Sequence, residues 1–308
     1  PEVQNIILWK SQRVDIDKRI DKLDYSFLFN DAFLEAVVNR DKWYLFDYLD
    51  APDVHDMFYK GSVKEYNSLV AKKIKKGVRH TEIDAIELVK SFLLVRQETG
   101  RMYCFNVSRA NEHTPFEDTI RLSNLCAEIA LPTHPYSSMG DLYNDVSKKG
   151  ETAFCALGAI VPANIDSDEE YERVAYTLVK TINKLIERCP KMTINHERTM
   201  LERMSIGVGI TGLADWMYKN GYDYDGSEES LKAVHTLAEK HAFYLYKASA
   251  RLAKETGKSV KGVKKDWLPI DTKRNKYDSI CDWESLRGQP RANSVLIANM
   301  PTESSSLN

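Results

Sequence analysis

Cysteine is scarce in this chain of 308 residues, and its placement excludes more than it suggests. Cys104, Cys126, Cys155, Cys189 and Cys281 are odd in number, widely spaced, and contain no C-x-x-C pair. That pattern argues against a secreted disulfide framework and against a zinc site built on paired cysteines. No run approaches the eighteen apolar residues of a membrane span, and the N-terminus lacks the basic-then-apolar layout of a signal peptide. The expectation is therefore a cytoplasmic protein without membrane partners. A surplus of one charge is missing too: 43 Lys and Arg stand against 45 Asp and Glu, for a net charge of -2. Nothing advertises nucleic-acid binding, although a local basic patch stays open.

What is present suits a globular fold. A hydrophobic content of 43% is enough to bury a sizeable core in one large domain or two ordinary ones. The chain opens on Pro1 and ends in the polar run Ser304-Ser305-Ser306-Leu307-Asn308. We expect a piece of a longer polypeptide, or one product of a split gene.

One stretch organises the rest: Ser123-Asn124-Leu125-Cys126-Ala127-Glu128-Ile129-Ala130-Leu131-Pro132-Thr133. In extended chain, alternate side chains leave one face, so the Asn124 amide, the Cys126 thiol and the Glu128 carboxyl are expected to share a surface. Asn124 can donate and accept hydrogen bonds, Glu128 can take or return a proton, and Cys126 can do sulfur chemistry. The bland alternative is a buried cysteine beside two solvated polar residues.

The full stretch resembles the finger-loop motif of the large, catalytic subunit of class I ribonucleotide reductases. That resemblance implies a fold: an α/β chain forming part of a ten-stranded α/β barrel with a central finger loop, preceded by a mainly helical region. It also implies roles. The cysteine matching Cys126 becomes a thiyl radical that abstracts the ribose 3′ hydrogen, while the residues matching Glu128 and Asn124 hold the ribose hydroxyls and handle the proton as the 2′ oxygen leaves as water. Cys155 matches one of two cysteines that supply electrons and end as a disulfide. Its partner would lie upstream of Pro1, and no residue here matches it.

The flanking segments are read from local signals. Residues 1–100 are expected to be mainly helical with short strands of the first half-barrel, and residues 101–308 to hold the finger loop and the second half-barrel. Asp24 to Phe29 and Trp43 to Phe46 read as strands, with Asn30 or Asp31 capping a helix through Val38. Ser62 with Glu65 is a capping box that opens a helix over 63–76, stopped by Gly77. The run Lys72-Lys73-Ile74-Lys75-Lys76 reads as a solvated helix end rather than a phosphate site. Thr81 with Asp84 is expected to open a helix ending at Gly100, striped by Ile83, Ile86, Leu88, Val89, Phe92 and Leu93.

Met102 to Val107 reads as a strand, and Asn111 to Phe116 as a turn-rich approach in which His113 serves a turn or the core. The apolar run Thr152 to Val161 predicts a strand buried on both faces, and Ser167 with Glu170 caps a helix to about Cys189. Gly207-Val208-Gly209-Ile210-Thr211-Gly212 spells G-x-G-x-x-G with Asp225 beyond it, but the glycines lie inside the apolar run. They read as close backbone packing in a curved strand, not as a dinucleotide fingerprint. A helix from Ser227 to Thr256 ends at Gly257, and Leu268-Pro269-Ile270-Asp271-Thr272 is similar to a family segment of unassigned role. Cys104, Cys189 and Cys281 read as structural.

Ser294 to Met300 reads as a short strand, followed by Pro301-Thr302-Glu303-Ser304-Ser305. Hydroxyls and free N–H groups leaving a strand make an anion cradle, although a serine run can also be a loose tail. In the family the matching loop grips the substrate diphosphate, which implies that Pro301, Thr302, Glu303, Ser304 and Ser305 bind substrate.

The resemblance further implies a ribonucleoside diphosphate substrate, no metal or other cofactor in this chain, a separate metal-containing small subunit that supplies the radical, and a thioredoxin- or glutaredoxin-type dithiol for electrons. It implies a further large-subunit fragment or copy as partner, since the allosteric domain, the first redox cysteine, the radical-relaying tyrosines and the tail cysteines have no match here. The isolated chain is thus expected to be inactive. Two alternatives remain: a segment of an adenosylcobalamin-dependent reductase, and a non-catalytic fragment that completes another chain.

Overall fold

The aromatic residues near the start of the chain form strands because they pack against one another. The structure, a computed structural model, describes residues 2–20, 22–100, 102–270 and 275–302. Its contacts divide into two units: Pro1–His113 with Thr119–Ala130, and Thr114–Asp118 with Leu131–Asn308. Residues just beyond 100 fall in the first unit because the strand at Met102–Asn106 pairs with the one at Tyr25–Phe29.

In the first unit, chain order runs α1 (Val3–Leu8), β1 (Tyr25–Phe29), α2 (Asp31–Asn39), β2 (Lys42–Phe46), α3 (Pro52–Lys60), α4 (Val63–Lys75), β3 (His80–Asp84), α5 (Ala85–Thr99), β4 (Met102–Asn106) and α6 (Val107–Glu112). Strand β1 lies parallel to β4, with Phe27 opposite Cys104, and β2 lies antiparallel to β3, with Trp43 opposite Ile83. The core between them is aromatic: Phe27 stacks on Phe92 at 4.9 Å, Phe33 meets Trp43 edge-on at 5.1 Å, and Trp43 stacks on Tyr66 at 5.4 Å. Such pairs add about 0.5–1.5 kcal/mol each beyond their buried area.

Local caps behave as the sequence indicates. The Asn30 side chain accepts the Phe33 N–H at 2.9 Å, and Ser62 and Glu65 form a complete capping box at the start of α4. One boundary differs: Thr81 to Asp84 does not open a helix but forms β3. Pairing with β2 and the 2.9 Å ion pair from Lys42 to Asp84 prevail over the cap-like spacing, and α5 begins at Ala85. Val107 likewise opens α6 instead of ending β4.

In the second unit the order is α7 (Met139–Asn144), β5 (Ala156–Ile160), α8 (Asp168–Arg188), α9 (Ile194–Arg203), β6 (Ile206–Ile210), α10 (Leu213–Lys219) and α11 (Glu228–Thr256). Strands β5 and β6 are parallel, Gly158 opposite Val208. Instead of a named strand, residues 295–298 run as an extended segment beside β6, with a parallel bridge from Val208 to Ile297. Helices α8 and α11 cover this arrangement with Ala175, Val179, Ile186, Leu245 and Leu252, all buried with Val208 and Leu296.

Strand β5 is not buried on both faces, since Leu157 is 44% exposed and Val161, just past its end, is 40% exposed. Gly158 faces Leu178 and Ile182 of α8, so by alternation Leu157 and Ala159 take the opposite, open face. Among the described residues the strands make three two-stranded sheets and no closed barrel. No helix among them is long and apolar enough to cross a membrane.

Candidate functional site

The central motif folds as a hairpin rather than an extended strand. Ser123 and Ala130 form an antiparallel bridge. Inside it, the Asn124 N–H donates to the Ile129 carbonyl at 3.0 Å and the Ala127 N–H donates to the Asn124 carbonyl at 3.1 Å. The Asn124 side chain adds a crossbar, its Oδ1 accepting the Ile129 N–H at 3.2 Å. Ala127 closes the turn at φ 62°, a left-handed conformation that costs a non-glycine residue of order 1–2 kcal/mol.

This geometry corrects the expected sharing of a face by simple alternation. Asn124 and Glu128 instead flank the turn, and the Cys126 thiol stands exposed at its tip beside Leu125, which is 67% exposed. With Oδ1 spent on the hairpin, Asn124 keeps Nδ2 as a donor. Glu128 is half-buried, and its Oε2 is fully buried with no hydrogen-bond partner. Leaving such an acceptor unsatisfied costs about 1–3 kcal/mol, which a donor arriving with a ligand would recover. The same hairpin therefore presents a thiol, an amide donor and an orphaned carboxylate oxygen.

The hairpin's entry is fixed within the first unit by Asn111. Its Nδ2 donates to the carbonyls of Val107 and Ile120, both at 2.8 Å, and its Oδ1 accepts the Ile120 N–H at 2.8 Å. His113 is exposed at the end of α6, not in the core.

In the second unit, Cys155 is half-buried one residue ahead of β5, where the Ala156 N–H donates to the Ser205 carbonyl at 3.2 Å. The segment leading to Pro301 is anchored from below by Asn293, whose Nδ2 donates to Asn183 Oδ1 at 2.6 Å and to the Met204 carbonyl at 2.9 Å. Ser249 Oγ donates to Asn293 Oδ1 at 3.0 Å. The glycines of the G-x-G-x-x-G run serve this packing. A Cβ on Gly207 would stand 2.6 Å from the Ala298 Cβ, and one on Gly209 would stand 2.8 Å from the Ala298 carbonyl oxygen.

Pro301 is exposed and Thr302 half-buried, whereas Glu303, Ser304 and Ser305 lie outside the described residues, as do Asp271 and Thr272. Because β5, β6 and the 295–298 segment are parallel, Cys155 and Pro301 stand at opposite ends of that arrangement. The hairpin trio and the Cys155–Pro301 pair belong to different units.

Sequence reasoning missed a polar stripe on α9. Asn195, 1% exposed, donates from Nδ2 to Asp145 Oδ1 at 2.8 Å and to the Gly150 carbonyl at 2.7 Å. Arg198 donates from Nε to Asp145 Oδ2 at 2.5 Å, and this guanidinium holds the Asp145 carboxyl below its usual range. Asp141 accepts from the side chain and N–H of Ser147, then from those of Ser137, and its pKa drops to about 2. The spacing of Asn195, Arg198 and Glu202 or Arg203 is the signal that could have revealed one helix face.

The comparisons with known proteins follow the same stretch. A family model described as the ribonucleotide reductase barrel domain matches residues 1–308. The ribonucleoside-diphosphate reductase subunit alpha of Haemophilus influenzae is 32% identical over 327 residues, which cover 99% of this chain and 42% of that protein. The subunit alpha of Enterobacteria phage T4 is 31% identical, covering 99% and 41%. The ribonucleoside-diphosphate reductase 1 subunit alpha of Escherichia coli K12 is 32% identical with the same coverage, 99% and 41%. The chain thus spans about two-fifths of the length of these relatives.

Proposed function

The chain belongs to the ribonucleotide reductase barrel-domain family, and from that premise we propose that it is the catalytic segment of a ribonucleoside-diphosphate reductase, an oxidoreductase that makes deoxyribonucleotides for DNA synthesis in the cytoplasm. In the complete ten-stranded barrel, residues 1–100 contribute to the first half and residues 101–308 supply the finger and the second half. The substrate is a ribonucleoside diphosphate, whose phosphates rest on Pro301, Thr302, Glu303, Ser304 and Ser305.

Chemistry follows from the residue types. A thiol gives up and recovers a hydrogen atom reversibly, so Cys126 carries the thiyl radical: its S–H bond forms as the ribose C3′–H bond breaks. Asn124 Nδ2 and the Glu128 carboxylate hold the ribose hydroxyls, and Glu128 handles the proton that leaves with the 2′ oxygen as water. Cys155 and a cysteine outside this chain supply two electrons and become a disulfide, later reduced by a thioredoxin- or glutaredoxin-type dithiol. A separate metal-containing small subunit supplies the radical. Turnover therefore requires complementing polypeptide.

The observation that carries this reading is the buried, partnerless Oε2 of Glu128 in the hairpin whose tip exposes Cys126. Replacing Cys126 by Ser in the complete reductase tests it. The tip is exposed, so folding and assembly should persist while deoxynucleotide formation stops; product at the wild-type rate would refute the assignment. The isolated chain given the small subunit and a dithiol should show no steady turnover.

A further inference from the structure

A charge cluster in the second unit has no part in the chemistry above. Arg203, the last residue of α9, grips Glu151 with two bonds, Nε to Oε1 at 2.6 Å and Nη2 to Oε2 at 2.8 Å. Nη2 also donates to Asp118 Oδ2 at 2.7 Å, while Nη1 donates to the carbonyls of Gly262 at 3.3 Å and Lys261 at 3.4 Å. His134 completes the cluster, its Nε2 lying 3.3 Å from Asp118 Oδ1 and 3.4 Å from Glu151 Oε2. The side chains of Arg203 and Glu151 are 15% and 8% exposed. A planar guanidinium can serve two carboxylates and two carbonyls at once, which a lysine ammonium cannot.

Backbone bonds extend the grip. The Glu117 N–H donates to the Gly262 carbonyl at 3.1 Å, and His134 and Glu151 exchange N–H to carbonyl bonds of 3.2 and 3.0 Å. The positions of these residues in the chain give the cluster its meaning. Asp118 is the last residue of the second unit before the chain crosses into residues 119–130, which carry the hairpin, and His134 follows soon after the return at Leu131. Glu151 lies four positions before Cys155.

We propose that Arg203 is a positioning residue for the reductase reaction: through Asp118, Glu151 and His134 it ties the chain at Asp118 and His134 to the start of the Cys155 segment, all within the second unit. The inference rests on the role proposed above for Cys155. Loss of the clamp leaves Cys155 chemically intact but misplaced, and misplacement of a reacting group lowers the rate of the chemical step more than substrate affinity.

The test combines two measurements on Arg203→Lys and Asp118→Asn. Hydrogen exchange on the chain reads the clamp directly. Arg203→Lys should speed exchange at the Glu117, His134 and Glu151 amides by about tenfold or more while the α8 core amides are unmoved. Asp118→Asn should affect Glu117 alone. In the complete reductase, Arg203→Lys should lower kcat by about tenfold or more with KM changed by less than about twofold. Unchanged exchange at these three amides, equal acceleration in α8, or an unchanged kcat would overturn the proposal. Accelerated exchange at these amides in a protein whose wild type makes no deoxynucleotide would uphold the clamp and refute the reductase reading instead.

Discussion

In the hairpin of residues 123–130 polar groups are left with spare hydrogen-bonding capacity, whereas in the connection of residues 131–151 they are spent. Glu128 keeps a buried oxygen without a donor, and Ala127 holds a strained backbone. A few residues on, Asp141 and Asp145 each accept at least three bonds from Ser137, Ser147, Asn195 and Arg198. The difference separates a region whose polar groups are satisfied from one that keeps capacity to spare. Unsatisfied buried groups and strain persist where surrounding structure enforces them, and they accumulate at functional sites.

The largest effect should come from breaking the satisfied region. Arg198→Met leaves Asp145, whose side chain is 4% exposed, as a buried charge without its cation. We expect a loss of about 3–5 kcal/mol in urea unfolding, and a loss below about 1 kcal/mol would mean that the connection is not the rigid partner in the comparison. Acid should erode the same region. Asp141 has a folded pKa of about 2, below its ordinary 3.8, so its contribution is complete above pH 3.8 and is lost as pH falls toward about 2. Asp145 shifts in the same direction, first because of Arg198. Asp141→Asn should flatten the stability profile in that window, as measured by unfolding at stepped pH.

Legibility in the sequence follows the range of the interactions. The caps at Asn30, Ser62 and Ser167 and the stop at Gly257 involve neighbours within a turn, and each sits where the spacing places it. Thr81 with Asp84 carried the same local pattern and became a strand, because its partner, β2, is far away in sequence. Rejection of the dinucleotide motif held since Gly207 makes room for the Ala298 side chain and Gly209 for the 298–299 backbone. The residue types of the candidate site were readable, but its shape was not: a turn closed by Ala127 at positive φ carries no glycine or asparagine at that position to announce it. The α9 stripe stayed hidden because Arg198 and Arg203 look like surface charges until their distant carboxylates are known.

Two substitutions in the hairpin sharpen the comparison at smaller scale. Asn124→Ala removes the acceptor for the Ile129 N–H and should cost about 1 kcal/mol. Asn124→Asp keeps that acceptor and loses the Nδ2 donor. It should unfold like the wild type yet fail to make product in the complete reductase. Equal activity of the Asp variant and the wild type would show that the amide is purely a crossbar.

Glu128→Gln should have a small effect on stability and the most informative sign. If Oε2 is kept without a donor for the benefit of a ligand, exchanging the carboxylate for a neutral amide removes a buried, poorly solvated oxygen and should leave stability unchanged or raise it by up to about 1 kcal/mol. The same variant loses the group proposed to handle the proton, so product formation in the complete reductase should fall by about a hundredfold or more. Thermal unfolding and turnover on one preparation read both. A destabilised variant with normal turnover would reverse the argument, making Glu128 part of the scaffold and erasing the contrast between the two regions.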